Sequence, residues 1–219
     1  QLDHLLGAQV HLLPPGTDRD GALRRMASAL KKSGRTPYVI PSGGSNATGA
    51  LGYVACAEEL EAQADTDGER IDYLVHATGS GGTQAGLIAG FQAIASQTGV
   101  LGVDITAHAA DLRGKVSAIA KDTLARLGGG DRFSKDALQI VEGYAGGAYG
   151  MPTEEMRAAV RLVARLEGLI LDPVYAGKAM AGLIDLVAKG RFKDDQTVVF
   201  LHTGGMPGLF AYNDYFQEK

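Results

Sequence analysis

The chain has 219 residues, 31 of them glycine, with 45% hydrophobic and 21% charged residues and a net charge of −4. This is the composition of a folded protein with a sizeable core, and 21 basic residues against 25 acidic ones give no excess with which to bind a nucleic-acid backbone. No apolar run reaches the ~20 residues needed to cross a bilayer, and the single Cys56 excludes an intrachain disulfide or a cysteine-based zinc site and suits a reducing cytoplasm.

In chain order, Gln9–Leu13 reads as a short strand closed by Pro14-Pro15. Thr17 or Asp18 caps a helix running to about Ser33, with Leu23, Met26, Ala27 and Leu30 on one face and Gly34 as its stop. Tyr38-Val39-Ile40 is a second short strand, followed by a Gly/Ser/Asn loop and a helix from Gly49 to Ala64. Tyr73–Ala77 is a buried strand, Thr83–Ala95 a helix of small residues, and Val100–Ile105 another strand. Asp111–Leu127 carries apolar residues at helical spacing. Leu138–Val141 is a weak strand, Thr153–Glu167 a helix stopped by Gly168, Lys178–Lys189 a helix, and Thr197–His202 the last strand. The Asp131–Lys135 stretch reads as a mobile surface loop, and Arg157, Arg161 and Arg165 as a solvated helix face.

Short apolar strands alternating with helices of ten or more residues predict an α/β protein with an open, mostly parallel sheet covered on both faces. The best internal boundary lies near Ser33–Pro37.

The glycines cluster between these elements, and one cluster has chemical content. After the strand ending at Ala77 come Thr78-Gly79-Ser80-Gly81-Gly82-Thr83, and a helix then begins. Free amides at a helix start, with the hydroxyls of Thr78, Ser80 and Thr83, form an anion site. No Gly-Lys-Ser/Thr closes the loop, so it is not the nucleotide P-loop, and the third glycine of a dinucleotide fingerprint is missing. The five histidines form no metal-ligand spacing, and no metal site is expected. His76 and His202, near strand ends, read as hydrogen-bonded core histidines. Ser42, Ser45 and Asn46 read as turn residues that could also meet a substrate.

Four stretches together resemble one family: Pro41-Ser42-Gly43-Gly44-Ser45-Asn46 with Gly49–Tyr53; His76–Gly86; Glu167-Gly168 with Leu171-Asp172-Pro173-Val174-Tyr175-Ala176-Gly177-Lys178; and Phe200-Leu201-His202-Thr203-Gly204-Gly205. The chain resembles, end to end, the pyridoxal-phosphate-dependent D-cysteine desulfhydrase / 1-aminocyclopropane-1-carboxylate deaminase family, and within it the D-cysteine desulfhydrases and L-cysteate sulfo-lyases. The resemblance implies the tryptophan-synthase-β-like fold (fold type II) and pyridoxal 5'-phosphate as cofactor. It implies residues 1–36 as the last part of a smaller α/β domain. Residues 37–219 would form a larger cofactor-binding domain, incomplete at its N-terminal side. Gly79, Ser80, Gly81, Gly82 and Thr83 would hold the phosphate, Thr203 would meet the pyridine nitrogen, Tyr175 would lie against the ring, and Tyr149 would face the substrate. The implied reaction is α,β-elimination on a small sulfur amino acid, by a cytoplasmic homodimer, giving pyruvate, ammonium and sulfide or sulfite.

Two departures bear on this. The cyclopropane deaminases carry a glutamate after the Asp-Pro-Val-Tyr tyrosine, where this chain has Ala176. That disfavours ring opening, since a strained C–C bond needs more acid/base help than a departing sulfur. The family's Schiff-base lysine stands in a Gly-Asn-Lys segment that none of the nine lysines here occupies. A chain that opens Gln-Leu-Asp-His is therefore expected to lack its front part, and a non-catalytic phosphate-binding α/β fragment is the rival reading.

Overall fold

The computed structural model describes residues 2–14, 16–129 and 132–217. Pro15, at the end of the first expected strand, and Gly130 and Asp131, at the start of the expected surface loop, lie outside the described residues. The chain divides into two compact units, residues 1–42 and 43–219.

The first unit holds α1 (Leu2–Leu5) and α2 (Arg19–Lys32). Asp18 is the cap of α2: its carboxylate accepts from the Gly21 amide at 2.9 Å, while Thr17 donates its hydroxyl back to the Pro14 carbonyl at 2.7 Å. Neither expected strand of this unit forms. Residues 9–13 and 38–40 are irregular, with Leu12, Tyr38 and Ile40 exposed. A strand is completed by a neighbour, and among the described residues the strands belong to the second unit.

The second unit is built from α3 (Ala47–Asp67), β1 (Tyr73–Thr78), α4 (Gly82–Ala93), β2 (Gly99–Asp104), α5 (Ala109–Arg126), β3 (Gln139–Val141), α6 (Glu154–Glu167), α7 (Ala176–Ala188), β4 (Val198–Phe200) and α8 (Asn213–Phe216). All strand pairs are parallel, in the order β3-β2-β1-β4. Alternate side chains of β1 serve opposite cores, as the period of two in a strand requires. Leu74 packs with Ala85, Leu87, Ile88 and Phe91 of α4 and Leu112 and Val116 of α5. Val75 packs with Leu101, Val103 and Ala179 on the α7 side. Helices cover both faces, as the run of apolar strands predicts.

The order of the strands reverses at β1, which is flanked by β2 on one side and β4 on the other. In open parallel sheets the crevice for ligands opens at the carboxyl ends of the strands at such a reversal. The segments leaving β1 and β4 therefore border that crevice.

Two expectations about charged and polar side chains are corrected. Arg157 and Arg161 are half-buried rather than solvated. Arg157 pairs with Glu154 at 3.3 Å, and Arg161 donates to the Phe216 carbonyl at 3.3 Å. His202 is exposed rather than in the core, because it lies beyond the end of β4. His76, in mid-strand, is fully buried as expected. In the expected surface loop, Phe133 is half-buried against the core, under the ammonium of Lys121.

Candidate active site

At the carboxyl end of the sheet a cleft of about 250 Å³ is lined by Ala77, Thr78, Gly79, Ser80, Gly81 and Thr83 from the β1–α4 turn. Tyr175, Thr203, Gly204 and Gly205 line it from other segments, with Tyr53 of α3. It lies where the strand order predicts a ligand crevice.

The β1–α4 side is a backbone surface. Gly81 caps α4 with φ +92, a left-handed conformation, and no side chain caps the helix. A Cβ there would press on Val116 at 3.2 Å. The first amides of a helix lack intrahelical acceptors and carry the positive end of its dipole. Thr78 adds a hydroxyl that is buried and has no hydrogen-bond partner within the protein. A buried donor left unsatisfied is costly unless something in the cleft accepts from it. Amides, a helix N-terminus and an orphaned hydroxyl fit a phosphate group. Gly82 stands apart: it is outside the lining, and its amide donates to Ser45 Oγ at 3.2 Å.

The opposite side is made by side chains on loops. Asp172, itself buried, accepts from the amides of Val174, Tyr175 and Ala176 at 2.7–2.8 Å, and so sets the turn that presents Tyr175. The Tyr175 hydroxyl hydrogen-bonds that of Tyr149, and their rings meet edge-on at 6.0 Å. Tyr149 is not itself a lining residue. Thr203 is held by its neighbour: His202 Nδ1 accepts from the Gly204 amide at 3.1 Å, which leaves Nε2–H to donate to the Ile170 carbonyl at 3.0 Å.

Beneath each side lies a buried base. His76 Nδ1 hydrogen-bonds the Ala77 carbonyl at 2.8 Å, and burial lowers its pKa to about 4, opposed by that bond. Lys178 of α7 is fully buried and donates to the Ala145 carbonyl at 2.5 Å. Burial lowers its pKa too, but the carboxylates of Asp104 and Asp172 oppose the shift.

A model of one known family matches residues 1–204, under the description pyridoxal-phosphate dependent enzyme. The chain belongs to that family. It is 44% identical over 209 residues to a D-cysteine desulfhydrase of Serratia proteamaculans, covering 95% of this chain and 62% of that protein. It is 41% identical over 221 residues to a 1-aminocyclopropane-1-carboxylate deaminase of Mesorhizobium japonicum, covering 99% and 65%. Among solved structures it matches an ACC deaminase homologue with a TM-score of 0.87 at 34% identity, over 98% of this chain and 64% of that one. A threonine deaminase isoform from Solanum lycopersicum shares the fold, with a TM-score of 0.58 at 21% identity, over 97% and 58%. The chain thus spans less than two thirds of the length of these relatives.

The family's cofactor is pyridoxal phosphate, and the fold is that of its type II enzymes. Gly79, Ser80, Gly81, Thr83, Tyr175 and Thr203 are brought together around one cleft, with Tyr149 behind Tyr175. Reading the sequence missed Tyr53, Asp172, Lys178 and the position of Ser45 beside the loop. Tyr53 had one local signal: Gly86 and Gly90, four apart on α4, leave room for α3 to pack close. A Cβ at Gly86 would lie 2.3 Å from the Ala50 carbonyl and 2.6 Å from Tyr53 Cβ.

No helix among the described residues is long and apolar enough to cross a membrane, and no group of three potential ligands among them could hold a metal ion.

Proposed function

We propose that the full protein is a pyridoxal-phosphate-dependent carbon–sulfur lyase that converts D-cysteine to pyruvate, ammonium and sulfide. The observation that carries this is the single cleft in which the Thr78–Thr83 turn faces Tyr175 and Thr203. Gly79, Ser80, Gly81 and Thr83 hold the phosphate. Gly82 contributes by its place in the turn. Tyr175 lies against the ring, and the Thr203 hydroxyl meets the pyridine nitrogen. When bound, the cofactor supplies the electron sink for loss of the α-proton. A hydroxyl partner for the ring nitrogen moderates that sink, which suits a substrate whose β-sulfur departs readily.

The two tyrosines share one hydrogen bond. A tyrosine O–H is a group able to donate a proton to a departing sulfur. Tyr149 faces the substrate and, with Tyr175, carries this acid role. Lys178 does not serve as the Schiff-base lysine: it is buried outside the cleft lining and bonded to Ala145. That lysine is supplied by a part of the protein beyond these 219 residues. Residues 1–36 end a smaller domain and 37–219 belong to the larger one. The family likeness supports a homodimer. The free Cys56 supports a reducing cytoplasm. L-Cysteate, giving pyruvate, ammonium and sulfite, is the alternative substrate for the same elimination.

The 41% relative and the ACC deaminase homologue favour a second reading, cyclopropane ring opening. Against it, Ala176 is buried in an apolar cluster with Met156, Val160 and Leu171, so that position offers no acid. The test is product analysis with the full-length protein and pyridoxal phosphate. D-Cysteine is expected to give pyruvate and sulfide. Production of 2-oxobutyrate from the cyclopropane substrate, with no pyruvate from D-cysteine or L-cysteate, would overturn the reading. So would the absence of a cofactor absorption band.

A further inference from the structure

We propose that Ser45, in the loop before α3, is a positioning residue that makes Ser80 a hydrogen-bond donor to the phosphate. This rests on the reading of the β1–α4 turn as the phosphate site. The argument is one of proton direction. The Gly82 amide can only donate, and it donates to Ser45 Oγ at 3.2 Å. Ser45 therefore acts as an acceptor on that side and has one proton to place. Its candidates are Ser80 Oγ at 2.6 Å and the Gly43 carbonyl at 3.4 Å, and the shorter contact takes it. Ser80 Oγ, already accepting, keeps its own O–H for the cleft that Ser80 lines. The helix-start amide thus orients two hydroxyls in series, and each bond polarises the next.

The packing reserves space for this pair. A Cβ at Gly82 would lie 2.7 Å from Ser45 Oγ, and one at Gly43 would lie 2.4 Å from Ser80 Oγ. Glycine at both positions encloses the hydroxyls and holds together segments 35 residues apart. Were the direction reversed, Ser80 would present only lone pairs to the cleft and would repel a phosphate.

The test is equilibrium binding of pyridoxal phosphate and of pyridoxal, which lacks the phosphate, to the full-length protein and its Ser45→Ala, Ser80→Ala and double variants. Ser45→Ala is expected to weaken pyridoxal phosphate by about fivefold and leave pyridoxal unchanged. The double variant is expected to bind like Ser80→Ala, since Ser45 acts only through Ser80. Additive losses, equal losses for both compounds, or tighter binding by Ser45→Ala would overturn the role of Ser45 while leaving the phosphate site in place. A wild-type protein that binds both compounds equally would overturn both readings.

Discussion

On one side of the cleft, residues 78–83 present amides and short hydroxyls as the chain leaves β1 and enters α4. On the other, Tyr175 reaches in from a loop, with Tyr149 behind it. The first side is positioned by close backbone packing: α4 approaches α3 at Gly86 and Gly90, and at Gly81 a side chain would press on Val116. The second is positioned by buried charged groups, Asp172 holding the turn of Tyr175 and Lys178 holding the Ala145 carbonyl, four residues before Tyr149. The difference suits the work proposed for each. A cofactor's phosphate is the same in every turnover and needs a fixed surface. A substrate enters and leaves, and it needs groups whose hydroxyls can exchange partners.

If this contrast is real, the two sides should break differently. Gly86→Ala should be the most damaging change, because the new methyl meets the Ala50 carbonyl at 2.3 Å and backbone cannot rotate aside. We expect a loss of about 3 kcal/mol in urea unfolding. Nearly as large is Lys178→Met, which leaves Asp104 and Asp172 without a counter-charge and Ala145 without its donor, at about 2–3 kcal/mol. A cost below about 0.5 kcal/mol for Lys178→Met would mean that the ammonium does not hold the tyrosine side.

The buried bases separate by pH. His76 has its folded pKa lowered to about 4 from 6.5, so its contribution to stability is complete above pH 6.5 and is lost as pH falls towards 4. By pH 5 the loss should be about 2 kcal/mol. In His76→Gln the slope of stability between pH 6.5 and 4 should flatten, and an unchanged slope would assign it to other groups.

How much of this was legible in the sequence depends on how local each cause is. β1 and its turn could be read directly, since an apolar run followed by glycines and hydroxyls states both a buried strand and a close backbone approach. Asp18 and Thr153 announced their helices by capping chemistry, which acts over three residues. Residues 9–13 and 38–40 misled because an apolar run does not say whether a partner strand is present. Ser45 was opaque for a different reason. Ser-Gly-Gly-Ser reads as turn chemistry, and only the fold brings it to Ser80. The role of Lys178 was opaque too, because sequence carries no sign that Ala145 will sit over its ammonium.

The smallest expected effect is the most local. Asp172→Asn keeps the shape of the side chain but replaces one acceptor with a donor. With its oxygen towards Val174 and Tyr175, the new amide group faces the Ala176 N–H, donor against donor. Turned the other way, it loses both other bonds. We expect a cost of about 1 kcal/mol. Hydrogen exchange should quicken at the amides of Val174, Tyr175 and Ala176 and stay unchanged across residues 79–83. Because the turn carries Tyr175 while the β1–α4 side rests on its own helix packing, the variant should loosen one side alone. Equal quickening on both sides would show that the cleft is one mechanical unit and that the contrast between its walls is only one of composition.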